Sequence, residues 1–258
     1  FVVAYNVISG IFRGLGNSKL PLIFVLIACI VNVIGDLLFV AVFHMNVAGA
    51  ALATILAQAV SVVLSLLIIR RQKLPFTIKK SDIRFNREIL VFLKLGIPLA
   101  LQEMLTNISF LILCAIVNGI GLEASSGYGI AQKVISFVML IPSALMQSMS
   151  AFVAQNIGAR RPERAKRALA YGILTSLGVG VFLAYFSFFH GDLLAGVFSR
   201  DREVVLAAAD YLRAYAIDCL LVSFMFCMTG FFNGCGKTAF VMLQGIAGAF
   251  GVRIPVSY

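Results

Sequence analysis

Asn32 and Asp36 stand four residues apart inside a continuous apolar run, LPLIFVLIACIVNVIGDLLFVAVF, at Leu20–Phe43. On a helix that spacing stacks the amide and the carboxylate on one face, with Cβ atoms about 5–6 Å apart. Together they offer oxygens to a hard cation, or a seat for a proton. The run is long enough to cross a bilayer as one helix. An aspartate near the middle of such a helix costs about 2.5–3.5 kcal/mol on the insertion scale, so a retained carboxylate is a functional-site candidate. The competing reading is a polar pair that joins two helices, and the spacing supports both equally.

Three further ionisable side chains fall within apolar spans: Glu103, Lys133 and Asp218. Glu103 and Lys133 sit on consecutive spans at overlapping depth, which predicts a structural ion pair, with a substrate contact as the lesser role. The rest of the chain offers little chemistry of its own. His44 and His190 are isolated at joints, and Cys29, Cys114, Cys219, Cys227 and Cys235 form no CxxC pair. No nucleophile stands with a base, so neither an enzyme, a metal centre nor a cofactor is expected.

The elements that must position these residues are membrane helices. The chain is 61% hydrophobic and 12% charged with no tryptophan, and its mean hydropathy is +1.00, a profile of membrane-embedded chains. Apolar runs predict spans at Leu20–Phe43, Val47–Ile69, Leu90–Asn118, Ala124–Val153, Ala165–His190, Val204–Phe232 and Thr238–Tyr258, after a helix remnant at Phe1–Phe12. The runs lack the period-two alternation of a membrane barrel, so an all-α bundle is expected. Opening on Phe1 in the middle of an apolar segment suggests a piece of a longer protein.

Lys and Arg concentrate in alternate joints, at Arg70–Lys94 and Arg160–Arg167, with Arg13, Lys19 and Lys237, while the intervening joints hold only Arg200 and Arg202. The positive-inside rule makes the first set cytoplasmic. Most of the net charge of +10 is thereby a topology signal, and no nucleic-acid partner is expected.

SGIFRGLGNSK at Ser9–Lys19 is echoed by TGFFNGCGKTA at Thr229–Ala239, aligning Gly10, Phe12, Gly14 and Gly16 with Gly230, Phe232, Gly234 and Gly236. Same-sense copies separated by an even number of helices predict two parallel halves of six helices each. GCGKT is not a phosphate-binding loop, because Phe231 stands where that motif needs glycine and a membrane helix precedes it in place of a strand. The same alignment puts Val252 and Val256 opposite Asn32 and Asp36, so the second half carries no copy of the first pair.

GIFRGLGNSKLP at Gly10–Pro21, NVIGD at Asn32–Asp36, GAALATILAQ at Gly49–Gln58, GIPLALQE at Gly96–Glu103 and AQNIGARRPERAKR at Ala154–Arg167 resemble, in order and spacing, the multidrug and toxic-compound extrusion (MATE) transporters. The resemblance implies two pseudo-symmetric six-helix lobes, here incomplete. Residues 1–70 would hold helices 4–6, 71–89 a cytoplasmic linker, and 90–258 helices 7–11. It implies a proton or sodium site at Asn32, Asp36 and Thr54, with sodium at Asp36 as the only metal and no other cofactor. Another branch of the family places acids on its seventh and tenth helices, but at the positions of Thr106 and Val222, so the role is not carried to Glu103 and Asp218.

The implied activity is ion-coupled efflux of amphipathic, often cationic, small molecules by alternating access, from a monomer in the cytoplasmic membrane. The bilayer and a small-molecule substrate are the implied partners. Pro98 and Pro142 are candidate flexible points. The alternative within the same superfamily is a lipid-linked oligosaccharide flippase, which would want a strongly cationic cavity; only Lys133, Arg213 and Arg253 are basic candidates within spans.

Overall fold

The structure, a computed structural model, describes residues 1–71 and 87–257. The chain divides into two compact units, Phe1–Arg84 and Phe85–Tyr258. Most of the expected linker, 71–89, lies outside the described residues. At its far end the helix begins sooner than expected, at Arg87, because Glu88 suits a first helical turn and the apolar run follows at once.

The first unit holds α1 (Val2–Gly14), α2 (Lys19–Asp36), a π-helical stretch (Leu37–Val42) and α3 (Asn46–Arg71). The second holds α4 (Arg87–Ile120), α5 (Leu122–Val138), α6 (Leu140–Gly158), α7 (Pro162–Phe189), the short α8 (Gly191–Gly196) and α9 (Arg202–Gly234). It ends with α10 (Thr238–Ile246), a second π-helical stretch (Ala247–Arg253) and α11 (Ile254–Ser257). Among the described residues seven stretches are long and apolar enough to cross a membrane, and they match the seven expected spans apart from their ends. Only 6% of the most apolar window of Lys19–Val42 is buried within the protein.

Between helices the packing rests on small residues. In the second unit α9 is the central element, packed against α5, α6, α7 and α8. A Cβ placed on Gly127 would come within 2.8 Å of Ala207, one on Gly180 within 2.6 Å of the Ser223 hydroxyl, and one on Gly234 within 2.7 Å of Val153. Lipid tails are as apolar as leucine, so helices gain from each other chiefly through close backbone approach and hydrogen bonds. One turn from Gly180, the Ser176 hydroxyl donates to the Ser223 carbonyl at 2.9 Å, joining α7 to α9. In the first unit Ile8, Phe12 and Phe24 form the core, with Phe12 and Phe24 edge to face at 6.0 Å.

The two copies of the sequence repeat adopt the same turn. Gly16 (φ 83°) and Gly236 (φ 75°) both lie in the left-handed region. In one copy the N–H of Gly16 donates to Arg13 and that of Asn17 to Phe12; in the other Gly236 donates to Asn233 and Lys237 to Phe232. This is a Schellman cap, in which a residue without Cβ ends the helix and satisfies its last carbonyls. α6 ends in the same way, with Arg160 donating to Ile157 and Arg161 to Asn156, yet its left-handed residue is Arg160, at φ 56°.

The span containing Pro142 is interrupted between α5 and α6, at Met139. Pro142 cannot donate to the Val138 carbonyl, so the ladder has a gap at the interruption. Pro98 lies inside an unbroken α4.

A left-handed L-residue costs about 1–2 kcal/mol that glycine avoids. Arg160→Gly is therefore expected to stabilise the complete protein in detergent by about 1 kcal/mol. Gly16→Ala and Gly236→Ala should each destabilise it by a similar amount, read from thermal or denaturant unfolding.

Candidate functional site

In the first unit the approach of α2 to α3 is set by a glycine. A Cβ on Gly35 would fall 2.9 Å from the Ala53 Cβ, and one on Gly49 the same distance from the Phe39 Cβ. Backbones that close let short polar side chains meet across the gap. Asn32 lies three residues before Gly35 and Thr54 directly follows Ala53, and the Asn32 Nδ2 donates to the Thr54 Oγ1 at 3.4 Å. The Thr54 hydroxyl donates in turn to the Ala50 carbonyl at 3.0 Å. With its single proton committed there, Thr54 is an acceptor toward Asn32, which orients the amide so that Asn32 Oδ1 remains as an acceptor.

Asp36 is half-buried. Among the described residues its carboxylate makes no ion pair and no hydrogen bond, so no basic neighbour neutralises it. The resemblance implied one site at Asn32, Asp36 and Thr54; the structure joins Asn32 to Thr54 by a hydrogen bond, and Asp36 follows one helical turn after Asn32. A cavity of about 320 Å³ opens beside the pair, lined by Tyr5, Cys29, Asn32, Thr54, Gln58 and Ser61 among others, and Asp36 is not part of its wall.

Directly after Asp36 the helix widens. Phe43 donates to Leu38 and Met45 to Phe39, reaching further back than an α-helix does. Such widened turns are uncommon and are found frequently at functional sites. Nothing in the apolar periodicity of Leu37–Val42 announced this one.

The second unit holds a larger cavity, about 510 Å³, and its charged lining residues are Glu103 on α4, Asp218 on α9 and Arg253 at the end of the second π stretch. The expected Glu103–Lys133 ion pair is corrected here. Among the described residues the ion pairs are Glu163–Lys166 and Asp210–Arg213, both exposed and within one helix. Glu103 lines the cavity with Asp218, while Lys133 is exposed on α5 and is not part of that wall. Sequence depth had placed Glu103 and Lys133 level, but the rotation of α4 about its axis decides which neighbour a side chain meets. Thr106 and Val222 line the same cavity about a turn from Glu103 and Asp218.

Arg253 is held by neutral partners. Its Nη1 donates to Ser109 Oγ at 3.0 Å, and its guanidinium lies over the Phe110 ring, 4.2 Å from the centroid. The Ser109 hydroxyl donates to the Thr106 carbonyl at 2.8 Å. The sequence marked Arg253 only as one of few basic residues within spans. The available signal was Pro255, which removes the donor an α-helix would direct at Gly251, just where the π stretch runs.

Residues 98–258 match the MatE family model. The chain belongs to the MatE family. Over 256 residues it is 29% identical to the probable multidrug resistance protein YpnP of Bacillus subtilis (strain 168), covering 99% of this chain and 57% of that one. Over 263 residues it is 28% identical to the multidrug export protein MepA of Staphylococcus saprophyticus, covering all of this chain and 57% of that one. The chain thus spans little more than half the length of these relatives.

Among solved structures, the fold is that of an outward-facing multidrug resistance MATE family transporter of the MOP superfamily, with a TM-score of 0.90 at 20% identity over 98% of this chain and 57% of that one. A MOP superfamily transporter from Pyrococcus furiosus, described by a reversed polarity of its binding pocket, matches with a TM-score of 0.91 at 20% identity, over 98% of this chain and 57% of that one. This MatE chain is accordingly a multi-pass, all-α membrane protein.

A double-mutant cycle of Asn32→Ala and Thr54→Val in the complete protein should return a coupling energy of about 0.6 kcal/mol, the usual size of an interhelical hydrogen bond in a membrane. Gly35→Val should abolish that coupling by forcing α2 from α3. Unfolding in detergent measures both.

Proposed function

We propose that the complete protein carrying this chain is an ion-coupled exporter of amphipathic, often cationic, small molecules, working by alternating access in the cytoplasmic membrane, with proton or sodium as the counter-transported ion. The observation that carries this reading is the arrangement around Asp36: a half-buried carboxylate in a membrane helix, without a basic partner among the described residues, one turn from an Asn32–Thr54 pair that retains an acceptor oxygen. A carboxylate with no counter-charge among the described residues can take one from a bound ion, and a proton or a monovalent cation supplies it. Occupancy then biases a two-state equilibrium of the helices around it, because the ion binds the two states with different affinity. The names of the relatives, a probable multidrug resistance protein and a multidrug export protein, support small-molecule export as the output.

In this reading Asp36 carries the charge that is neutralised. Asn32 Oδ1 and Thr54 Oγ1 are the neutral oxygens able to join a sodium ion, and the π-helical stretch after Asp36 is the segment whose repacking follows. The protein acts as a transporter and not as an enzyme, and it works as a monomer. The superfamily alternative, a flippase of lipid-linked oligosaccharides, is less well supported, since the larger cavity has two carboxylates against one guanidinium and not the cationic lining an anionic lipid diphosphate would want.

Asp36→Asn in the complete protein should fold and insert as the wild type does, and in proteoliposomes should lose uptake driven by an imposed proton or sodium gradient, because an ion without differential affinity for the two states shifts nothing. Unchanged gradient-driven transport by that variant overturns the coupling role.

A further inference from the structure

The cavity of the second unit contains three charges that the Asp36 site does not use. Glu103 and Asp218 each contribute a carboxylate, Arg253 contributes a guanidinium, and the remaining lining residues, among them Met146, Met225 and Phe226, are neutral. An arginine facing two carboxylates in an apolar cavity would be expected to close a salt bridge with one of them. It does not. Among the described residues neither carboxylate is within ion-pair distance of Arg253. The guanidinium is instead fastened to α4 by the Ser109 hydroxyl at 3.0 Å and by the Phe110 face at 4.2 Å.

Neutral anchors of this kind fix where a positive charge sits without cancelling any negative one. Both carboxylates stay available to a ligand, while the cavity as a whole carries a single formal negative charge. Its volume of about 510 Å³ suits an organic molecule of drug size. The methionines and the phenylalanine lining it give an adaptable apolar wall.

We propose that Arg253 is a specificity-determining residue: a built-in cation that sets this cavity to accept ligands bearing one positive charge in preference to two. This rests on the reading of the protein as an exporter of amphipathic cations and adds a valence to it. A monocation satisfies the net charge of the site. A dication leaves one positive charge in excess within a low-dielectric cavity and meets the repulsion of the guanidinium twice, so it is discriminated against although both carboxylates are present. Arg253 touches α4 through two residues on one stretch, so its position, and with it the selectivity, depends on how the second π stretch is laid against that helix.

The test is equilibrium binding to the complete protein in detergent, without any gradient. The probes are a lipophilic monocation, tetraphenylphosphonium, and a bis-quaternary dication, decamethonium. Wild type should favour the monocation. Arg253→Gln should shift the affinity ratio toward the dication by at least about tenfold, the scale of removing one unit charge from a partly buried site. Arg253→Lys should keep the wild-type ratio, because the charge remains. Arg253→Gln combined with Asp218→Asn should return the ratio to wild type by restoring the net charge. If Arg253→Gln does not fold, Asp218→Asn alone should weaken tetraphenylphosphonium binding by about tenfold on the same grounds.

An unchanged ratio in Arg253→Gln, an unchanged monocation affinity in Asp218→Asn, or no binding of either probe by wild type overturns the proposal. Because the assay uses no gradient, its outcome is independent of the Asp36→Asn transport experiment. Wild-type export with an unshifted ratio rejects the role of Arg253 alone, whereas a shifted ratio without gradient-driven export rejects the coupling and leaves Arg253 as the selector.

Discussion

Close approach of helix backbones at glycine is the constraint on which the rest of this molecule depends. In a hydrocarbon solvent an apolar side chain gains nothing by leaving lipid for a neighbouring helix, so association comes from dispersion at short range and from hydrogen bonds that need that range. Gly35 against Ala53 and Gly49 against Phe39 do this in the first unit, and Gly127, Gly180 and Gly234 do it around α9 in the second. Where the backbones close, polar groups couple: Asn32 reaches Thr54, and Ser176 reaches the Ser223 carbonyl. The candidate site of the first unit is therefore a consequence of the packing and not an addition to it.

The two units handle intramembrane charge differently. In the first, one carboxylate is left without an internal counter-charge among the described residues, beside a neutral pair whose donor and acceptor roles are already assigned. In the second, two carboxylates share a cavity with a guanidinium that is held away from both by a hydroxyl and an aromatic ring. An unpaired charge in a low-dielectric setting is costly. The turn at Gly16 and the turn at Gly236 share their left-handed glycine and their hydrogen-bond pattern.

Much of this was legible in the residues. The spans follow from hydropathy alone, because a helix in lipid must be apolar over its whole circumference and over a length set by the bilayer. The repeat was legible because a left-handed residue at a helix end admits few types, so Gly16 and Gly236 recur at the matching place. Arg160 takes the same conformation without being glycine, and nothing in its chemistry announces that. The membership in the MatE family rests on the match over residues 98–258, and the motifs at Gly96–Glu103 and Ala154–Arg167 had carried the resemblance.

What the sequence determined by itself is whatever depends on the chain's own solvent and its own backbone: the membrane spans, the tight turns, and the placing of polar residues at four-residue spacing on one face of a helix. Tertiary structure alone decided which helix face meets which neighbour. Hence Asn32 pairs with Thr54 while Asp36 does not, Glu103 shares a cavity with Asp218 and not a salt bridge with Lys133, and Arg253 lies on Phe110. The physical reason is that a membrane helix is apolar all round, so periodicity carries no mark of its inward face. Its rotation is set by contacts at a few small residues, and the π stretches at Leu37–Val42 and Ala247–Arg253 shift that rotation partway along the span.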